Sequence, residues 1–74
     1  MPVEVLQNTL RVERGRLGLT QEQLAELVGV TRKTVNTVET GRFIPSTLLA
    51  LKLARALQVP VERLFLLAPA SRKR

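Results

Sequence analysis

Gly18–Arg42 reads GLTQEQLAELVGVTRKTVNTVETGR, which parses as two short helices divided by a tight turn. Thr20 and Gln23 stand three apart, so the Thr20 hydroxyl can accept from an early backbone N–H while Gln23 reaches back to the cap. That capping box opens a helix carrying Leu24, Ala25, Leu27 and Val28, and Gly29 is placed to end it in the left-handed conformation. Glu22 and Glu26, four apart on its outer face, read as solvated charges and not as a working carboxylate pair. Beyond Gly29-Val30, Thr31 caps a second helix that runs to about Glu39 and stops at Thr40-Gly41. Only Val35 and Val38, three apart, are apolar in it. So narrow a stripe buries one edge and leaves Arg32, Lys33, Thr34, Asn36 and Thr37 to solvent or to a partner.

The same signals divide the rest of the chain. Upstream, Asn8 is a candidate N-cap for a helix running to about Leu17, with Gly18 its stop and Leu10, Arg14 and Leu17 on one face. Downstream, Phe43-Ile44-Pro45 is a connection, and Ser46 caps a helix from Thr47 to Leu57. Leu49, Ala50, Leu53, Ala54 and Leu57 follow the helical period toward a core, while Leu48 and Leu51 widen the stripe. Gln58-Val59-Pro60 interrupts, Pro60 suiting a first helical turn. A last short helix, about Val61 to Leu64, brings Val61, Leu64 and Phe65 to the core. Five short helices without an internal repeat or a low-complexity stretch make an all-α domain. Two segments stand outside that pattern: Val3–Leu6 alternates like a strand, and Phe65–Ala68 is apolar without a helix-boundary signal.

Composition excludes whole classes of function. Seventy-four residues form one small domain with a marginal core. Cysteine, histidine, aspartate and tyrosine are all absent. That removes disulfide staples, Cys/His zinc sites and Ser-His-Asp or Cys-His catalysis, so neither an enzyme nor a metal or other cofactor is expected. Twelve Lys and Arg against six Glu give a net charge of +6 and a pI near 11.5. Three of the twelve cations form the last three residues, Arg72-Lys73-Arg74, so the remaining nine against six leave +3 on the body. A basic body suits a polyanionic partner. Residues 1–68 read as the folded domain and 69–74 as a basic tail expected to be flexible. No apolar run approaches the ~20 residues of a bilayer span, and the N-terminus lacks a signal-peptide pattern. The chain is expected to be soluble and cytoplasmic, with no membrane partner.

Two short helices meeting at a turn that contains Gly29, with small Ala25 at their crossing, have the layout of a helix-turn-helix. In that layout the second helix enters the DNA major groove. The sequence resembles the Cro/phage-repressor (Xre-type) family of small transcriptional regulators. The phrases that carry the resemblance are Gly18-Leu19-Thr20-Gln21, Leu24-Ala25, Gly29–Val35, Val38-Glu39-Thr40-Gly41-Arg42 and Pro45-Ser46. Ala50–Leu57 and Val61–Phe65 continue it, so that it covers residues 8–66. It implies a compact five-helix lambda-repressor-like domain, in which some members pair the terminal segments as a small antiparallel two-stranded sheet. Without such pairing Leu48, Leu66 and Leu67 would be left exposed.

The family's functional positions carry over residue by residue. Arg32, Lys33 and Thr37 match positions that reach base edges, with Thr34 and Asn36 alongside. Arg or Lys reads guanine O6/N7, and Asn prefers adenine. Gln21, Thr31, Thr40, Arg42 and the backbone after Gly41 match contacts to DNA phosphate. Thr40 stands where the family often has Asn, and Pro60 where it usually has a Ser or Thr cap. Arg14 and Glu39 match a structural ion pair between the first and third helices. A homodimer is expected, held through Val61, Leu64, Phe65, Leu66 and Leu67, because a small core gains by pairing with its copy. The expected function is that of a sequence-specific regulator, a repressor, reading a palindromic operator in double-stranded DNA. A second reading is an antitoxin-type helix-turn-helix protein that binds a toxin and its own promoter.

Overall fold

Cap residues decide where most of the helices begin. In the computed structural model, which describes residues 3–69, the order is β1 (Glu4–Asn8), α1 (Leu10–Arg16), α2 (Gln21–Val28), α3 (Arg32–Glu39), α4 (Thr47–Leu57), α5 (Val61–Leu64) and β2 (Phe65–Pro69). Thr20, Thr31 and Ser46 hold extended backbone, and each side chain accepts the N–H of the residue three on: Gln23, Thr34 and Leu49. The Gln23 side chain accepts in return from the Thr20 N–H at 2.8 Å, closing the capping box. Gly29 ends α2 with φ 80°, and its N–H and that of Val30 both donate to the Ala25 carbonyl. The three residues Gly29, Val30 and Thr31 thus swing α3 across α2 in a short loop.

Strand pairing displaces one expected boundary. Asn8 is not the first cap of α1, which starts two residues later at Leu10. Asn8 instead closes β1 opposite Phe65, held extended by the antiparallel ladder. Its side chain then works twice: Oδ1 accepts from the Leu10 N–H, and Nδ2 donates to the Val38 carbonyl, both at 3.0 Å. The last helix ends at Leu64 as expected, and Phe65 opens β2 with φ −123° and ψ 129°. Pro60 sits one place before α5, as its cap residue, and not inside the first turn.

Leu10, Leu24, Val35, Val38, Leu53, Leu57 and Leu64 are the largest fully buried side chains, joined by Ala25, Val28 and Ala54. Every helix contributes to this one core, so α2 and α3 are fixed on a common floor. Leu49 packs against it half-buried, whereas Leu27, Leu48 and Leu51 point outward. The sheet has only two strands, running from Asn8↔Phe65 at the helical body out to Glu4↔Pro69. Its root is anchored where the Thr9 N–H donates to the Leu64 carbonyl at 2.9 Å and the Thr9 hydroxyl to that of Arg63 at 3.0 Å. The all-α expectation holds for the body, with this small sheet added at the termini. The basic residues Arg72-Lys73-Arg74 lie outside the described residues.

Candidate nucleic-acid interface

The narrow apolar stripe of α3 dictates what the helix presents. With Val35 and Val38 buried, Arg32, Lys33 and Asn36 are exposed, while Thr34 and Thr37 are half-buried at the edge of the stripe. Arg32, Lys33 and Arg42 take part in no salt bridge among the described residues, so their charge is uncommitted. Thr31 precedes them as the helix cap, its hydroxyl accepting the Thr34 N–H at 3.2 Å and paired with the Thr34 hydroxyl at 3.0 Å.

Behind α3 lies a chain of polar groups. Arg14 Nε meets Glu39 Oε2 at 2.6 Å, with the side chains only 17% and 5% exposed. Arg14 Nη2 reaches Glu39 Oε1 at 3.3 Å, and Nη1 donates to the Leu19 carbonyl at 2.9 Å, so the guanidinium ties α1 to the start of α2 and to the end of α3. Gln21, first residue of α2, joins the same carboxylate: its Nε2 donates to Glu39 Oε1 at 3.0 Å and to Asn36 Oδ1 at 3.1 Å. The carboxylate can only accept, which places the Gln21 amide nitrogen toward it. The Asn36 atom facing that nitrogen is then its oxygen. Asn36 is thus held in one amide orientation, with its Nδ2 donors turned away from Gln21.

Several residues expected at DNA phosphate make hydrogen bonds within the protein. Both Nε2 protons of Gln21 are spent inside the protein; as the first residue of α2 its backbone N–H lacks an intrahelical acceptor and remains suited to an anion. The Thr40 hydroxyl donates to the Asn36 carbonyl at 2.9 Å. The N–H groups of Gly41, Arg42 and Phe43 donate to the carbonyl of Val38 and twice to that of Thr37, closing the end of α3. What remains at that corner is the exposed Arg42 side chain.

Two open hollows flank α3. One, of about 500 Å³, is lined by Lys33, Thr34, Thr37, Arg42, Phe43 and Leu49. The other, at the start of α2, is lined by residues that include Arg14, Thr20, Gln21 and Arg32. Of the residues expected at a dimer contact, Leu64 is 0% exposed and wholly taken up by the core, so it has no surface to offer. Val61 and Phe65 are half-buried, whereas Leu66 and Leu67 are exposed.

Two contributors carried no signal that sequence reading used. Phe43 lines the larger hollow although it was assigned only to a connection. Glu13 is buried and holds Arg16 at 2.7 Å and Arg63 at 3.5 Å, bridging α1 to α5. The spacing of Glu13 and Arg16 could have revealed half of that cluster; nothing in the sequence pointed to Arg63. Among the described residues no cluster of metal-ligating side chains occurs, and no helix is long and apolar enough to cross a membrane.

A basic helix, locked by two valines onto a capped partner across a three-residue turn, defines a helix-turn-helix DNA-binding protein. The helix-turn-helix family profile matches residues 10–64, and the chain belongs to that family, in its Cro/phage-repressor (Xre-type) branch. It is 49% identical over 63 residues to an uncharacterized HTH-type transcriptional regulator of Methanothermobacter thermautotrophicus, covering 84% of this chain and 91% of the relative. Among solved structures it is similar to the restriction-modification controller protein C.AhdI from Aeromonas hydrophila, with TM-score 0.70, 42% identity and coverage of 73% of this chain and 82% of that one. It is also similar to the P22 c2 repressor in complex with a synthetic operator, with TM-score 0.69, 28% identity and coverage of 72% and 80%. The family consists of DNA-binding transcriptional regulators and not of enzymes.

Proposed function

We propose that the protein is a sequence-specific repressor that binds a palindromic operator as a homodimer and acts by occupying the promoter. The observation that carries this reading is the division of α3: a buried valine edge fixes its position, and the opposite edge presents Arg32, Lys33 and the oriented Asn36 amide. In this reading Arg32 and Lys33 contact guanine O6/N7, and Asn36 donates to a base acceptor. Arg42, Thr31 and the N-terminus of α2 at Gln21 set the docking register through phosphates. The repressor reading draws on the P22 c2 repressor, whose solved structure holds an operator.

The dimer reading rests on the terminal sheet. A two-stranded sheet is marginal alone, and this one exposes Val5, Leu66 and Leu67. A second copy packed on the sheet face that carries Phe65 and Leu67 would cover Leu67, the most exposed of the three. A palindromic operator then requires two α3 helices about one DNA turn, ~34 Å, apart.

Selection of bound sequences from a random DNA pool, at two salt concentrations, tests the proposal. The expected result is an enriched palindrome with half-sites one turn apart and a steep fall of affinity with salt. Arg32→Ala and Lys33→Ala should each cost about 1–3 kcal/mol on that operator while changing random-sequence binding much less. Salt-sensitive binding without any enriched sequence would reduce the interface to its bare charge.

A further inference from the structure

We infer that the larger hollow beside α3 reads the 5-methyl group of thymine, with Thr37 acting as an apolar contact and not as a hydrogen-bond donor. The inference rests on the DNA-reading function proposed above and assigns chemistry to one part of that face.

The first observation concerns the hydroxyl of Thr37. Its Oγ1 donates to the Thr34 carbonyl one turn back at 2.9 Å, so its proton is spent on the helix backbone. With that proton spent, the apolar group Thr37 has to offer the hollow it lines is its γ-methyl. Thr34, beside it, has its hydroxyl paired with that of Thr31 at 3.0 Å. Two side chains that look in the sequence like polar readers are therefore engaged on their polar side.

The second observation is the company they keep. The hollow they line is completed by Phe43, Leu49, Lys33 and Arg42. Phe43 is 48% exposed, a large aromatic surface left open in the company of two free cations. An apolar lining beside two free cations fits a partner that is anionic outside and carries apolar groups within. In the DNA major groove the one apolar group on a base edge is the thymine methyl, with phosphates on either side. About 500 Å³ leaves room for the edge of a base and not for its methyl alone. Because Lys33 both lines the hollow and suits guanine, the half-site should carry a thymine next to or one step from a guanine.

The test uses the full chain and the operator recovered by selection. Each thymine is replaced in turn by deoxyuridine, which removes only the methyl, and affinity is measured by fluorescence anisotropy for the unaltered protein, Thr37→Ser and Thr37→Val. For the unaltered protein, one thymine per half-site should lose about fourfold in affinity on replacement, the fold-change expected of one buried methyl-sized group. Thr37→Val keeps the methyl and loses the hydroxyl, and should retain that preference. Thr37→Ser keeps the hydroxyl and loses the methyl, and should bind the thymine and deoxyuridine operators alike. Phe43→Ala should flatten the same preference from the other wall, with circular dichroism confirming that each variant is folded. An operator on which no deoxyuridine replacement matters, or a Thr37→Ser variant that still discriminates, overturns the inference while leaving the regulator intact. Failure to enrich any operator overturns the regulator reading, and this inference with it.

Discussion

Glu39 is the residue on which the most geometry depends. It receives Arg14 from α1 and Gln21 from α2 while itself belonging to α3. Removing one partner of a mostly buried pair leaves the other charge without compensation, which costs about 3–5 kcal/mol in such settings. Glu39→Ala should therefore lower unfolding stability by about that amount in urea titration. Arg14→Met with Glu39→Leu should cost less than either single change with its partner left in place, because no unpaired charge remains. Glu13 offers a contrast. It is equally buried, but Arg16 and Arg63 are 46% and 65% exposed, so water takes over their solvation when the acid is removed. Glu13→Ala is expected to cost about 1 kcal/mol, and a loss as large as that of Glu39→Ala would contradict this weighing of exposure. The Arg14–Glu39 pair was legible only through family resemblance. The direction of the Asn36 amide was not legible, because it depends on the Gln21 side chain 15 residues away and on Glu39 beyond it. The Thr37 and Thr40 hydroxyls bond backbone carbonyls only three and four residues back, a local option that a threonine in a helix always has and that its sequence does not compel.

At the level of elements, the local signals are largely sufficient. Thr20, Thr31 and Ser46 are caps that the sequence announces, and Thr20→Ala should remove about 1 kcal/mol by opening the capping box of α2. Thermal unfolding would show this as a fall of roughly 4–8 °C in Tm for a domain of this size. Gln58 ends α4 at φ 62°, a left-handed conformation that costs a residue with a Cβ about 1 kcal/mol or more. Gln58→Gly should be stabilising by a few tenths to about 1 kcal/mol, the relief of strain being partly offset by the greater freedom of glycine in the unfolded chain. A fall in Tm would mean that the Gln58 side chain contributes more than its backbone loses. The element boundary that local signals missed is the start of α1. Asn8 has the chemistry of an N-cap, but ladder pairing with Phe65 holds it in β1, and its side chain serves the helix from one residue further out. Pairing partners 57 residues apart leave no trace in a local window.

The whole molecule measures 40 × 23 × 22 Å. A five-residue strand is ~17 Å long, which is about the excess of the long axis over the other two. The two-stranded sheet thus projects from the helical body, and its apolar residues Val5, Leu66 and Leu67 remain exposed. If a second copy covers Leu67, Leu67→Glu should give a folded monomer by sedimentation equilibrium and lose most operator affinity, while Leu27→Glu, at an exposed leucine of α2, should change neither. A dimer that survives Leu67→Glu would move the interface elsewhere. By itself the sequence determined the five helices, the side-chain caps of α2, α3 and α4 and the basic helix-turn-helix, because each is written in residues within a few positions of one another and in charge that folding cannot alter. The tertiary structure alone decided which donors of α3 remain free, which of the expected dimer residues is consumed by the core, and where α1 begins. The Asn36 orientation, the burial of Leu64 and the start of α1 depend on contacts between segments far apart in the chain, and a hydrogen bond or a buried face used within the fold is no longer available to a partner.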